Sequence, residues 1–131
     1  MTNEELISEA KNAMKFSYAP YSGFHVGAAI LTECGMVYTG CNVENASYGA
    51  TICAERTAAV KAISEGHTGF IKIAIVSSSE EYTYPCGICR QFISEFLTED
   101  SEFIFEDRIK GILVIKASEI LPYSFTKESI K

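Results

Sequence analysis

Apolar positions recur with two different periods along this chain, and the periods separate predicted helices from predicted strands. Over residues 3–17, apolar side chains return every three or four positions, behind Thr2 and Glu5, which have capping-box spacing. This pattern predicts an amphipathic helix. Helical composition over residues 52–65 and an apolar stripe over residues 86–97 predict two further helices.

Shorter runs with strand composition lie between the predicted helices. The first two are separated by a glycine-containing turn, which predicts a hairpin, and the third is apolar on both faces, as in a buried strand. The predicted strands span residues 25–32, 36–42, 70–77, 103–105 and 112–115, and a short helical turn spans residues 118–121. This order predicts an α/β fold in which helices pack in layers on one mixed sheet.

Length and charge limit the classes of partner. The 131 residues suit a single domain over residues 1–131, with no internal repeat or linker. The formal net charge is -6, and the 11 Lys and Arg residues form no cluster. Because nucleic-acid binding needs a positive surface, we expect a small, weakly charged ligand and no nucleic acid. No apolar run approaches the ~20 residues of a membrane helix, so no membrane partner is expected.

The cysteine count indicates the compartment. The five cysteines are an odd number, and the first residues are acidic, whereas a secretory signal begins with basic and then apolar residues. These features favour a cytoplasmic location, with metal-bound or buried thiols in place of a disulfide framework.

Two cysteine clusters carry the candidate chemistry. Cys53 is followed two residues later by Glu55, and Cys86 and Cys89 form a Cys-x-x-Cys pair after a proline. Three thiols leave the fourth position of a zinc ion to water, which is the arrangement of catalytic zinc sites. Both clusters lie where a helix is predicted to begin, and helix N-termini favour thiolates. This is the pattern of zinc deaminases, in which the Glu transfers protons and does not bind the metal.

Other interpretations of the cysteines were weighed against this one. The Cys-x-x-Cys pair alone fits a redox pair or a four-ligand structural zinc site, but neither explains the first cysteine together with its carboxylate. Cys34 and Cys41 lie in the predicted hairpin turn and strand, so we interpret them as turn or buried thiols. His25 and His67 are interpreted as packed or loop residues.

Positive groups are expected beside the three thiols. Zinc with three thiolates has a net negative charge, which Arg56 or Arg90 is expected to offset. Backbone N–H groups near Ala54 and Cys86, at the predicted helix starts, are candidates to orient a bound base.

Polar and aromatic residues near the first cluster allow two interpretations. Asn42 and Glu44 interrupt the strand pattern just before this cluster, and a ligand-binding role and a solvated strand end stay equally open. Phe24, Tyr48 and Phe125 are by default core or surface aromatics.

Four motifs together resemble a known enzyme family. They are Tyr-Ala-Pro-Tyr-Ser-Gly-Phe at 18–24, Gly-Cys-Asn-Val-Glu-Asn-Ala at 40–46, Cys-Ala-Glu-Arg-Thr-Ala at 53–58 and Pro-Cys-Gly-Ile-Cys-Arg-Gln at 85–91. In sequence and order they resemble the small, homotetrameric, zinc-dependent cytidine deaminases, over nearly the whole chain. The resemblance implies a three-layer fold with a mixed five-stranded sheet covered by helices, and one zinc per subunit. It also implies hydrolytic conversion of cytidine and deoxycytidine to uridine and deoxyuridine, with release of ammonia, in pyrimidine salvage.

The resemblance also implies roles for individual residues. The matching positions place the zinc ligands at Cys53, Cys86 and Cys89, the proton shuttle at Glu55 and the charge-compensating arginine at Arg56. They place ribose binding at Asn42 and Glu44, pyrimidine binding at Phe24, and contacts that complete a neighbouring subunit's site at Tyr48 and Phe125.

Three alternatives stay open beside this interpretation. One is a deaminase of another aminopyrimidine nucleoside, such as a blasticidin-type antibiotic. A deaminase of nucleotides or tRNA would need cations that the sequence does not cluster. A zinc-stabilised module without catalysis would have a fourth protein ligand and no use for Glu55.

Overall fold

A computed structural model describes residues 1–130 of the chain. Within this range the helices are α1 (Asn3–Met14), α2 (Ala54–Ser64), α3 (Gly87–Ser94) and α4 (Ala117–Ile120). The strands are β1 (Val26–Thr32), β2 (Val37–Cys41), β3 (Phe70–Ser77), β4 (Leu97–Asp107) and β5 (Gly111–Lys116). Two short 3₁₀ segments span Tyr48–Ala50 and Lys127–Ile130. No helix in the described range is long and apolar enough to cross a membrane.

The five strands form one mixed sheet, as predicted. Their order is β2-β1-β3-β4-β5, with β3 and β4 parallel and the other neighbours antiparallel. The parallel pair is joined through α3, since parallel neighbours need a crossover connection and cannot be joined by a tight turn. The predicted hairpin joins β1 and β2 through Gly35, whose φ is +87° and whose N–H bonds the Thr32 carbonyl at 3.0 Å.

The central strand has apolar side chains on both faces because helices cover both. Ile73 and Ile75 of β3 pack with α2, α3 and α4 in one core. Ala74 and Val76, which alternate with these two residues along β3, pack with α1 in a second core on the opposite face of the sheet. The successive side chains of a strand point to opposite faces, so the continuous apolar run places β3 inside three layers. The layered α/β fold is therefore confirmed.

Two glycines let helices lie directly against the sheet. A Cβ at Gly27 would lie 2.1 Å from the Ala10 carbonyl oxygen of α1. A Cβ at Gly40 would lie 2.5 Å from the Ala58 nitrogen and 2.7 Å from the Ala54 oxygen of α2. The second contact sets the position of the first turn of α2, which carries the candidate site.

The structure corrects the predicted boundaries of the first helix, the third helix and the fourth strand. The first helix ends at Met14 and not at residue 17, and the next two residues form a turn. Leu97, predicted to end the third helix, begins β4, which is much longer than the predicted 103–105. The early part of β4 shows no apolar alternation because residues 98–100 are polar and exposed. Its pairing with β3 is irregular, and the Ser101 hydroxyl donates to the Phe70 carbonyl at 2.8 Å.

Candidate active site

Three thiols meet where two helices begin. Cys53 is the N-cap of α2, and Cys86 is the N-cap of α3, with Cys89 in the first turn of α3. The two helices contact each other, and their N-termini meet, since Sγ of Cys53 lies 3.7 Å from Sγ of Cys86. The predicted placement of both clusters at helix starts is confirmed.

The distances between the thiols suit a metal ion. Sγ of Cys86 lies 3.7 Å from Sγ of Cys53 and 3.3 Å from Sγ of Cys89, and all three sulfurs lie within 4.8 Å of one another. Tetrahedral zinc with ~2.3 Å bonds to sulfur would hold its thiolates about 3.8 Å apart. Among the described residues, this group contains no fourth His, Cys, Asp or Glu. The donor set therefore fits zinc with an open position.

The thiols differ in their readiness to lose a proton. A hydrogen bond from Cys89 lowers the pKa of the Cys53 thiol to about 5, against the effect of burial, and Arg56 contributes in the same direction. The same hydrogen bond and burial raise the pKa of Cys89, which is fully buried. Cys53 is therefore the thiol of this pair that loses its proton more readily, because its neighbours stabilise the thiolate.

Arg56 contacts the thiol cluster, whereas Arg90 does not. Nη2 of Arg56 lies 3.9 Å from Sγ of Cys53 and donates to the Thr51 carbonyl at 3.1 Å. Its Nε is buried and has no hydrogen-bond partner among the described residues, so a positive group stays available beside the sulfurs. Arg90 instead bonds the carbonyls of Pro85 and Ile120 at 2.8 and 2.9 Å. Of the two candidates to offset thiolate charge, Arg56 is therefore the one with a contact to a thiol.

Glu55 is a buried carboxyl beside the thiols. It is the second residue of α2, and only 4% of its surface is exposed. Burial raises the pKa of the Glu55 carboxyl, and the charge of Cys53 adds to this effect, while a hydrogen bond with Cys89 opposes it. Because Cys53 precedes the helix as its N-cap, the carboxyl two residues later reaches the Cys89 thiol. Sequence spacing alone had left that geometry open.

Asn42 is held by three hydrogen bonds next to the end of β2. Its Oδ1 accepts from the Val26 N–H at 2.9 Å and from the Ser17 hydroxyl at 2.5 Å, and its Nδ2 donates to the Phe24 carbonyl at 2.8 Å. With 8% of its surface exposed, Asn42 is no solvated strand end.

Glu44 is fixed by the turn that follows Pro20. Its Oε1 accepts from the N–H groups of Tyr21 and Ser22 at 3.0 and 3.1 Å, and its Oε2 accepts from the Ser22 hydroxyl. These bonds lower the pKa of Glu44, with the Ser22 hydroxyl as the largest cause. The carboxylate is therefore ionised and oriented at neutral pH.

The three aromatic candidates are exposed to different extents. Phe24 is 40% exposed and Tyr48 is 77% exposed. Tyr48 packs edge-on against Tyr21 at 6.3 Å and lines, with Glu44, a cavity of about 330 Å³. Phe125 is 61% exposed, and its carbonyl accepts a hydrogen bond from the Gln91 side chain of α3 at 2.7 Å. Neither of the last two is buried by its own chain.

Several residues of the site were missed from the sequence. Ser17, Ser22 and Thr51 orient Asn42, Glu44 and Arg56 through the contacts given above. Ser22 had a signal, since it lies in the Pro-Tyr-Ser-Gly turn of a recognised motif. Ser17 had none because Asn42 is distant in sequence, and the Thr51 contact had none because every residue type has a backbone carbonyl.

Comparison with known proteins agrees with this geometry. Residues 1–105 match the family model described as the cytidine and deoxycytidylate deaminase zinc-binding region. The chain is 45% identical to the cytidine deaminase of Sporosarcina psychrophila over 131 residues, covering 99% of this chain and 96% of that protein. It is 43% identical to the probable cytidine deaminase of Dictyostelium discoideum over 134 residues, covering 99% of this chain and 90% of that protein.

Solved structures show the same fold. A crystal structure of the cytidine deaminase from Burkholderia pseudomallei superposes with a TM-score of 0.89 at 43% identity, covering 95% of this chain and 100% of that one. The cytidine deaminase of Mycobacterium tuberculosis superposes with a TM-score of 0.83 at 34% identity, covering 95% and 98%. This chain therefore belongs to the family of zinc-binding cytidine and deoxycytidylate deaminases.

Proposed function

We propose that this chain is a zinc-dependent hydrolase that deaminates cytidine and deoxycytidine to uridine and deoxyuridine and releases ammonia. The observation that carries the proposal is the three-thiol group, which leaves one metal position open, beside the buried carboxyl of Glu55. A closed structural site would use a fourth protein ligand and would not need that carboxyl. The relatives named above, all cytidine deaminases by name, support the choice of substrate.

In this proposal Cys53, Cys86 and Cys89 hold zinc, one ion per subunit. When bound, zinc supplies a Lewis acid that acidifies water at its open position. Glu55 accepts one proton from the water and returns it to the ring nitrogen, and it then accepts the proton of the newly added hydroxyl and returns it to the leaving amine, so one group alternates between base and acid. Burial of Glu55 favours the protonated form that the second half of this cycle requires.

Neighbouring groups position the reactants. Arg56 offsets the negative charge of the thiolates through its contact with Cys53. The N–H groups at the start of α2, near Ala54, and of α3, near Cys86, lack acceptors within their helices and orient the edge of the base.

The nucleoside is held at the ends of β1 and β2. The amide of Asn42 and the carboxylate of Glu44 bind the ribose, and Phe24 flanks the pyrimidine. The fixed orientation of the first two, through three hydrogen bonds each, supports a binding role over a solvated strand end.

We further propose a homotetramer in which neighbouring subunits complete each site. The exposed rings of Tyr48 and Phe125 support this, since an apolar ring gains by burial in an interface. A monomeric mass in light scattering at micromolar concentration would contradict it.

The chain as a whole is proposed to act in pyrimidine salvage in the cytoplasm, as one domain over residues 1–131. Five free thiols support a reducing compartment. Release of a stable smaller fragment by limited proteolysis would contradict the single domain. Recovery of the protein outside the cytoplasmic fraction would contradict the location.

A substrate panel tests the proposed reaction. Purified protein with one zinc per chain is incubated separately with cytidine, deoxycytidine, deoxycytidine monophosphate and a blasticidin-type nucleoside, and ultraviolet absorbance and ammonia are followed. We expect turnover of the first two only. Turnover of the blasticidin-type compound alone would show that it, and not cytidine, represents the substrate class. No turnover of any compound would favour a non-catalytic zinc module.

A further inference from the structure

A hydrogen-bonded chain of side chains reaches Asn42 from outside the proposed site. Ser17 follows α1, His25 precedes β1, and Asn42 follows β2. The Ser17 hydroxyl bonds Oδ1 of Asn42 and lies 3.0 Å from Nδ1 of His25. His25 is itself anchored at the end of β3, where its N–H and carbonyl bond Ser78 at 3.1 and 2.8 Å. Neither Ser17 nor His25 was assigned a functional role from the sequence.

The backbone fixes which way the Asn42 amide points. The Val26 N–H can only donate, so the Asn42 atom 2.9 Å away is the amide oxygen. The Phe24 carbonyl can only accept, so the atom 2.8 Å away is the amide nitrogen. The usual ambiguity between the two ends of an amide is therefore resolved here without reference to any ligand.

The direction of each remaining bond follows from this orientation. Because Oδ1 of Asn42 can only accept, Ser17 must give it the single hydrogen of its hydroxyl. The Ser17 oxygen is then left as an acceptor, so Nδ1 of His25 must carry the hydrogen between them. Both the neutral Nδ1–H tautomer and the imidazolium of His25 meet this requirement, so the arrangement does not depend on the charge of the ring.

The chain of bonds determines what Asn42 can offer to a ligand. Two donors, Ser17 and Val26, use both lone pairs of Oδ1, which leaves one Nδ2 hydrogen without a protein acceptor among the described residues. Ionised Glu44 can only accept. A hydroxyl is the group that accepts from Asn42 and donates to Glu44 in one contact.

We propose that Ser17 and His25 are positioning residues that make Asn42 a donor-only contact and so establish the preference of this enzyme for nucleosides that carry sugar hydroxyls. The inference rests on the proposed function and goes beyond it by assigning specificity to two residues that need not touch the substrate. In Ser17→Ala, one lone pair of Oδ1 loses its donor and the amide loses a bond that holds it. The contact with the sugar then weakens, while Glu55 and the thiols are unaffected.

The test compares two substrates that share the same base. Values of kcat and KM are measured for cytidine and for 2′,3′-dideoxycytidine, which lacks both hydroxyls, in wild type, Ser17→Ala and Ser17→Thr. Loss of one hydrogen bond predicts that kcat/KM for cytidine falls about threefold to tenfold in Ser17→Ala, mainly through KM. The value for dideoxycytidine should not change, and Ser17→Thr, which keeps the hydroxyl, should recover the preference for cytidine.

Histidine variants and a surface control complete the design. His25→Asn places an amide N–H near the position of Nδ1 and should keep most of the preference, whereas His25→Leu, which leaves the Ser17 hydroxyl without its second partner, should reduce it. Ser8→Ala makes the same serine change on the exposed face of α1 and should match wild type. Thermal unfolding of every variant identifies any that fails to fold.

Each outcome decides a different statement. Equal losses for both substrates in Ser17→Ala would indicate a general structural role and overturn the inference, as would an unchanged preference for cytidine. Wild type that turned over both nucleosides equally would show that Asn42 and Glu44 do not recognise hydroxyls. Wild type inactive on cytidine would overturn the proposed function and the inference with it.

Discussion

Two glutamates of the candidate site lie in opposite electrostatic environments. Glu55 is buried beside a thiolate, which raises its pKa, whereas Glu44 accepts three hydrogen bonds, which lower its pKa. These environments suit the two proposed roles, because Glu55 is proposed to gain and lose protons and Glu44 is proposed to stay ionised. The sequence marked both as acidic residues near the first cysteine cluster, but only the three-dimensional contacts separate their chemistry.

The low pKa of Glu44 predicts a pH effect that Ser22 controls. The folded protein favours ionised Glu44, so this contribution to stability is present above the unfolded pKa and is lost as pH falls through the lower, folded value. Ribose binding should weaken over the same low range of pH. In Ser22→Ala the carboxyl loses its largest stabilising bond, so its pKa rises and KM for cytidine should begin to increase at a higher pH.

The measurement is the pH profile of kcat/KM for cytidine in wild type and Ser22→Ala. The matched control is Ser79→Ala, because Ser79 bonds Ser77 and the Glu81 N–H and does not contact Glu44. If kcat/KM fell over the same acidic pH range in wild type and in Ser22→Ala, the hydrogen bond from Ser22 would not set the pKa of Glu44.

The start of α2 is the element on which the candidate site depends most. It carries Cys53 at its N-cap and Glu55 in its first turn, and it lies against β2 where Gly40 has no side chain. A methyl group there would lie 2.5 Å from a backbone nitrogen of α2, which cannot move without moving the helix. The position of the Glu55 carboxyl therefore depends on a glycine in the adjacent strand β2.

Gly40→Ala should accordingly reduce both stability and activity. Overpacking of this kind costs about 1–3 kcal/mol of the free energy of unfolding, measured by urea denaturation. Gly49→Ala is the control for stability, because a Cβ at Gly49 would meet nothing within 4 Å. If Gly40→Ala were as stable as wild type, α2 would not be held against β2 at the spacing described.

At the level of elements, the sequence predicted more of the core than of the boundaries. The range of β3 was predicted correctly, 70–77, because its apolar run is continuous and ends in polar residues. The start of β4 was not, because residues 98–100 are exposed and the strand begins with irregular pairing. The close contact at Gly40 was also missed, since a glycine in a strand does not reveal which helix approaches it.

The whole molecule presents aromatic rings that its own chain does not bury. Tyr48 and Phe125 are mostly exposed, although the resemblance assigns both to the active site of a neighbouring subunit. The carbonyl of Phe125 accepts a hydrogen bond from the Gln91 side chain of α3. The pattern of the sequence alone allowed these rings to be interpreted only as core or surface residues, because contacts between subunits leave no periodic signal within one chain.

Complementation between two inactive variants tests whether sites are shared. If Phe125 completes a neighbouring site, Glu55→Gln and Phe125→Ala should each have low activity as homotetramers. Equal mixing with subunit exchange should restore roughly a quarter of the sites, because both groups are intact in that share of random pairs. Mixed protein no more active than the average of its two components would show that Phe125 does not act across subunits.

In the proposed mechanism Glu55 transfers protons next to a zinc ion that it does not bind. The most direct measurement is the rate of ammonia release from cytidine by wild type and Glu55→Gln, with zinc content determined on the same samples. We predict one zinc per chain in both proteins and a loss of activity of about 10²- to 10⁴-fold in the variant. Glu55→Gln with zinc bound and most of its activity intact would contradict this mechanism.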